Sequence, residues 1–364
     1  MSKKRKIILG SIASLLAIIV SVTLFGYWFI GLIKHDRAFT KGVENTLPAE
    51  IPYLAEDYVL HRGKILAVVT SHSILGKTEK PTGYELSELA RAYYVFTANG
   101  FEVEVASPKG GNAPVVIDED DMWKFDYAFI NDTTAQRKIK HTIPLNEVDP
   151  EQYEAVYFVG GKGTMFDFPE NTAIQSLVTQ YYETGKVIGA VCHGPAALVN
   201  VTLNNGRSLL EGKTTSGFTN AEELFLIPDA PEVFPFMLQD KLIEQGATFN
   251  EGFMYLENVV QDGNLITGQN PWSVWPLAEA MVKQLGYTPK PRLKTPEENA
   301  VQVLIAYESS GYNAALSVLK NSIAEGKLVQ RELIAVHSIL AAMQFELGKT
   351  VNIIQILANI ENEK

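Results

Sequence analysis

The chain has 364 residues, 46% of them hydrophobic, which is room for one large domain and a further module. Its formal charge of −11 argues against nucleic acid as a partner. A single cysteine excludes an intrachain disulfide framework and a cysteine-rich zinc site, and no His/Cys/Asp cluster has metal-ligand spacing.

At the N-terminus, Lys3-Lys4-Arg5-Lys6 precedes an uncharged apolar run from Ile7 to Ile33. At about 1.5 Å per helical residue this run is long enough to cross a bilayer with tilt. Tyr27 and Trp28 fall where an interfacial aromatic belt would sit. A cleaved signal peptide would carry a shorter apolar core and a small-residue cleavage site. The expectation for residues 1–33 is therefore a cytoplasmic basic tip and a transmembrane signal anchor, with the bulk of the chain on the outer face. Lys34, Arg37 and Lys41 follow the run, and residues 34–60, with Pro48 and Pro52, read as a tether.

Residues 61–288 alternate between β and α patterns. Strands are predicted over 64–70, 101–106, 153–159 and 186–191, where β-branched and apolar residues cluster. A helix is predicted over 85–98, closed by Asn99-Gly100, and another near 171–184. This order implies an α/β fold, a parallel sheet sandwiched by helices, with ligand chemistry at the carboxyl ends of the strands. Gly160-Gly161-Lys162-Gly163 and Cys192 both lie at such ends. Cys192 would stand on a sharp turn between a strand and a helix opening at Gly194-Pro195, a nucleophile elbow. A helix N-terminus behind it would lower the thiol pKa, and His193 would supply a proton acceptor or a cation. The rival reading is a buried structural cysteine.

Pro289, Pro291 and Pro296 mark a linker over 289–296. Residues 297–364 read as four short helices, over 297–308, 312–324, 328–347 and 350–361, with Gly311, Gly326 and Gly348 at the breaks. Such a module is either a pair of tetratricopeptide-like hairpins or a helical cap on the main domain.

Six ordered segments over residues 61–288 resemble one family: Thr82-Gly-Tyr-Glu-Leu-Ser-Glu88, Ala106-Ser-Pro-Lys-Gly-Gly111, the run from Val159 to Pro169, Ala190-Val-Cys-His-Gly-Pro-Ala196, Gly217-Phe-Thr-Asn-Ala-Glu-Glu223 and Thr267-Gly-Gln-Asn-Pro271. They are similar to the ThiJ/PfpI superfamily, whose fold is class I glutamine-amidotransferase-like and flavodoxin-like, and closest to its heat-shock chaperone and glyoxalase III branch. The resemblance implies that Cys192 is the nucleophile, His193 the adjacent base and Glu223 the acid that orients it. Glu222 is its neighbour, and spacing alone does not separate the two. Glu88 takes the place of the family glutamate that contacts the sulfur; Leu86 and Leu89 flank it, so the helix can turn it inward. The N–H groups of Gly161 and His193 would form an oxyanion hole, and Gly161, Lys162 and Gly163 the substrate loop.

Two departures stand out. Lys162 replaces the histidine of Gly-Gly-His-Gly, and Arg91-Ala92 replaces a His-Pro pair; both are expected near the substrate mouth. A lysine there would attract an anionic substrate or stabilise the thiolate. His72 and His141 read as loop residues. The implied activity is a lyase of the glyoxalase III, or D-lactate dehydratase, type: methylglyoxal to lactate without metal, nucleotide or glutathione. The expected partners are a small carbonyl substrate, the membrane through residues 7–33, a second copy of the chain and a protein bound by residues 297–364. A cysteine peptidase or amidase, and a non-enzymatic stress chaperone acting through the C-terminal helices, are the alternatives.

Overall fold

The structure, a computed structural model, describes residues 3–33, 42–55, 60–118 and 122–360. It divides into two compact units, Gly42–Leu293 and a second made of Met1–Lys41 with Lys294–Lys364. Parts of the expected tether, including Lys34, Arg37 and Lys41, lie outside the described residues.

The larger unit is an α/β fold around a seven-stranded sheet. Its strands are β1 (Lys64–Val68), β2 (Glu102–Ser107), β3 (Ile143–Pro144), β4 (Ala155–Phe158), β5 (Val187–Val191), β6 (Val259–Asp262) and β7 (Leu265–Gly268), in the spatial order β6-β7-β5-β4-β1-β2-β3. All neighbours pair in parallel except the hairpin β6–β7. Burial on both faces explains the unbroken apolar runs, since every residue of β5 is inside. In β1, Ile65 and Ala67 face one core with the helices Leu86–Ala98, Lys124–Asn131 and Val274–Gln284. Leu66 and Val68 face the other, with Thr172–Glu183 and Leu238–Glu244. Val68 is level with Phe158, and Phe158 with Ala190. The loops after β1, β4 and β5 therefore leave the sheet at one edge, and that edge holds the site.

Two short helices, Lys124–Asn131 and Thr133–Lys140, and two small two-stranded sheets carry no clear pattern in the sequence. The segment after Cys192 differs from expectation: Gly194–Leu198 is a 3₁₀ helix of 5 residues, ended by an extended Val199.

The second unit contains the C-terminal helical region: Pro296–Ser310, Tyr312–Ala324, Arg331–Met343 and Leu347–Ala358. Thr295 and Glu298 close a capping box on the first. Gly311 and Gly326 lie at breaks, but Gly348 does not. The third break falls at 344–346, where Phe345 itself takes a left-handed φ of 62°.

The same unit includes a helix over Lys3–Ile33. Among the described residues no helix is long and apolar enough to cross a membrane. The expected transmembrane anchor over 7–33, the cytoplasmic N-terminus and the outward-facing catalytic domain are corrected accordingly.

Arg331, 4% exposed, ties this unit together. One guanidinium nitrogen donates to the carbonyl of Leu32 at 2.8 Å and another to that of Ile360. Leu32 lies in the last turn of the helix Lys3–Ile33, and Ile360 follows Leu347–Ala358. Terminal carbonyls lack intrahelical donors and attract a cation. Arg331→Met should destabilise this unit by about 2 kcal/mol. Limited proteolysis should then cut faster beyond residue 294; unchanged cleavage would refute the role.

Candidate active site

The site is built outward from the end of β5. Cys192 has φ 58°, a left-handed conformation that residues with a side chain rarely adopt. Such a backbone costs about 1–3 kcal/mol and persists only where its surroundings fix it. Here both peptide groups are pinned: Cys192 N–H donates to Gly268 O at 2.9 Å, and Cys192 O accepts from Phe218 N–H at 2.8 Å. The bend turns the thiol back over the sheet edge, where it is buried.

His193 Nδ1 lies 3.3 Å from Cys192 Sγ, and its Nε2 lies 2.5 Å from Glu223 Oε2. The imidazole is buried, with Phe218 and Phe234 ring centroids 4.7 and 6.1 Å away. Of the two adjacent glutamates, Glu223 reaches the histidine. Glu222 turns the other way, into a capping box with Thr219.

Glu88 comes from the first turn of the helix Leu86–Ala98 and is fully buried. Its Oε2 accepts from Gly160 N–H at 2.8 Å, and Tyr157 Oη donates to its main-chain carbonyl at 2.9 Å. Thiol and carboxyl converge over Gly160. A methyl built there would fall 2.4 Å from Glu88 Oε2 and 2.8 Å from Cys192 Cβ, so only glycine fits. Gly161, at φ 101°, passes so close to Gly83 and Glu85 that a side chain is excluded there too. Among the described residues, no backbone bond engages the N–H of Gly161 or of His193.

Burial pushes the Glu88 carboxyl well above its ordinary 4.5, and the charge of Glu85 adds to this. Burial also pushes the Cys192 thiol well above its ordinary 9.0, reinforced by Glu88. The expected lowering by a helix N-terminus is thus overturned: the 3₁₀ turn is short, and desolvation opposes the thiolate. Lys162, half-buried in the loop Gly161–Gly163, is the cation that pulls both groups back down.

Arg91 is not at a mouth. It is 1% exposed and pairs with Asp126 through two hydrogen bonds at 3.2 and 3.3 Å, one turn beyond Glu88. His72 stacks on Phe166 at 4.5 Å. Among the described residues no group of three or more His, Cys, Asp or Glu side chains could hold a metal ion. Sequence reasoning left out the two walls of the imidazole, Phe218 and Phe234; Phe218 sits inside the segment that also supplies Glu223.

Comparison with known proteins places the chain in a family. A model of the DJ-1/PfpI family matches residues 80–226. The glutathione-independent glyoxalase HSP31 of Saccharomyces cerevisiae is 31% identical over 231 residues, covering 58% of this chain and 92% of that protein. The chain belongs to the DJ-1/PfpI family. A further member of similar sequence is Glyoxalase 3 of Candida albicans, 29% identical over 231 residues, 60% of this chain and 97% of that protein. Among solved structures, Rapid Encystment Protein 24 KDa of Francisella tularensis is 36% identical with a TM-score of 0.58, covering 62% of this chain and 99% of that one.

The buried carboxyl has a thermodynamic signature. Folding raises the Glu88 pKa above 4.5, so the native state keeps a proton that the unfolded chain has given up. Stability is therefore lost as pH rises from the unfolded value through the folded one. Between about pH 5 and pH 8 the wild type should lose more stability than Glu88→Gln, as read from urea midpoints at fixed salt. Parallel curves for the two proteins would contradict a neutral Glu88.

Proposed function

We propose that residues 61–288 form a glutathione-independent glyoxalase that converts methylglyoxal to lactate. The observation that carries this reading is the convergence of a thiol and a fully buried carboxyl over Gly160, with an imidazole nitrogen 3.3 Å from the sulfur. The family relatives named as glyoxalases support it.

Each residue then has a task. Cys192 Sγ bonds to the aldehyde carbon; the thiol proton passes to His193 Nδ1, and Glu88 protonates the former carbonyl oxygen, giving a hemithioacetal. Glu88, now a carboxylate, removes the remaining hydrogen from that carbon as a proton. The C–H electron pair becomes a C=C bond, and the ketone oxygen takes the proton held by His193, giving an enediol. Glu88 returns its proton to the second carbon while the first carbon's hydroxyl gives its proton to His193, leaving a lactyl thioester. Water attacks the thioester, losing a proton to Glu88, and the departing sulfur regains its proton from His193. The balance is methylglyoxal plus water to lactate plus one proton released to solvent.

Glu223 keeps His193 oriented through each exchange, and the N–H groups of Gly161 and His193 face the oxygen that gains charge. Lys162 offsets negative charge as sulfur and Glu88 alternate between forms. A peptidase would hold its thiol ionised at rest, whereas burial and Glu88 favour the neutral thiol here. Residues 297–364 form a separate helical-hairpin module in this reading.

The purified full chain, given methylglyoxal without glutathione, should release lactate. Cys192→Ser and Glu88→Gln should each lower kcat/KM by about 10³-fold. No lactate from the wild type, or undiminished lactate from either variant, would overturn the proposal.

A further inference from the structure

A second carboxylate stands beside the reactive line without touching it. We propose that Glu222 is the positioning residue that holds Glu223 on His193, acting through a buried hydrogen-bond hub that also anchors Cys192. This rests on the proposed roles of Cys192, His193 and Glu223.

Glu222 is fully buried in the first turn of the helix Asn220–Leu226. Its Oε1 accepts from Tyr255 N–H at 2.7 Å, Asn270 Nδ2 at 2.9 Å and Gln269 Nε2 at 3.0 Å. Its Oε2 accepts from the hydroxyl and the N–H of Thr219 at 3.0 and 3.1 Å. Its main-chain carbonyl accepts from Tyr255 Oη at 2.7 Å. Three separate segments thus meet on one residue. A helix cap alone would use only the Thr219 bonds; the others fix where this 7-residue helix sits and how it is turned. Glu223, the next residue, inherits that placement.

The hub reaches the other end of the reactive line as well. Gly268 O, which pins Cys192 N–H, is immediately followed by Gln269 and Asn270. Gln269 Oε1 accepts from Gly252 N–H at 2.7 Å, and Asn270 Nδ2 donates to Leu256 O at 2.7 Å, so both side chains are themselves held. Tyr255, whose left-handed φ of 55° is braced by its two bonds to Glu222, packs on Phe218, and Phe218 on His193. Nucleophile, imidazole and acid are referred to one frame. Breaking it at Glu222 leaves five donors, from four residues, seeking acceptors in the interior.

The test is a double-mutant cycle on the full-length protein, comparing wild type, Glu222→Ala, Glu223→Ala and the double variant. Two readouts are used: kcat and KM for methylglyoxal, and the rate at which iodoacetamide alkylates Cys192. Glu222→Ala should lower kcat at least tenfold with KM within about threefold, and slow alkylation in parallel. In the Glu223→Ala background the same substitution should cost less than threefold, because there is no longer an acid to position. Equal costs in both backgrounds, or an unchanged kcat and alkylation rate, would overturn the proposal. Glu222→Gln serves if the alanine variant does not fold. It keeps an acceptor for the three Oε1 donors and loses the one for the hydroxyl and N–H of Thr219, so it should fall between wild type and alanine; activity equal to wild type in both readouts would count against the role. Alkylation reports on the thiol even if methylglyoxal proves not to be turned over, so failure of the positioning role and failure of the glyoxalase reading are told apart.

Discussion

Two weak acids buried against each other govern this protein. Glu88 and Cys192 lie in an interior that resists charge; burial raises the proton affinity of both, and Glu88 raises that of the thiol further, while the thiol's hydrogen bond to Glu88 works the other way. Burial is the largest cause in both, and Lys162 opposes it in both. Much of the local architecture follows. Gly160 must lack a side chain to let the two groups meet. The backbone of Cys192 must bend into the left-handed region to aim the sulfur at the carboxyl. The helix that carries Glu88 must dock with its first turn inside, which Tyr157 secures by binding the Glu88 carbonyl.

Much of this was readable from the chain alone. The long apolar runs of β1, β4 and β5 announce strands buried on both faces, and the turn at Cys192 announces an elbow. The two-residue strands are too short to carry a period and exist through tertiary packing; the helix around Ala135, by contrast, has Asp132 as its cap and buries Ala135 and Ile139 on one face, a signal too short to stand out in the chain. Gly348 misled for a related reason: a glycine marks a break only where the chain must take a positive φ, and Phe345 took that position instead. The turn at Cys192 suggests a helix dipole that lowers the thiol pKa, but the desolvation that opposes it depends on burial, which local sequence does not display. The apolar N-terminal run was read by length as a membrane span, a reading the described residues do not support.

The two substitutions relative to the family pattern behave differently once placed. Lys162 stays at the site and acts on both acids. Arg91 has withdrawn into the core, where Asp126 satisfies it; breaking such a pair by removing one partner costs about 3–5 kcal/mol. One change therefore sets a cation against the two buried acids and the other a core ion pair, although they look alike in the sequence.

The anchoring of Cys192 by Gly268 has a consequence for how the protein comes into being. Chains are made from the N-terminus, and domains fold as units. Glu88 emerges first and Cys192 about a hundred residues later, but the hairpin that closes the elbow follows both. Until residue 268 has left the ribosome, the sulfur has no fixed backbone and no buried carboxyl above it. During synthesis it is an ordinary cysteine, open to any oxidant or electrophile. The last strand to join the sheet is the one that turns a vulnerable side chain into a guarded one.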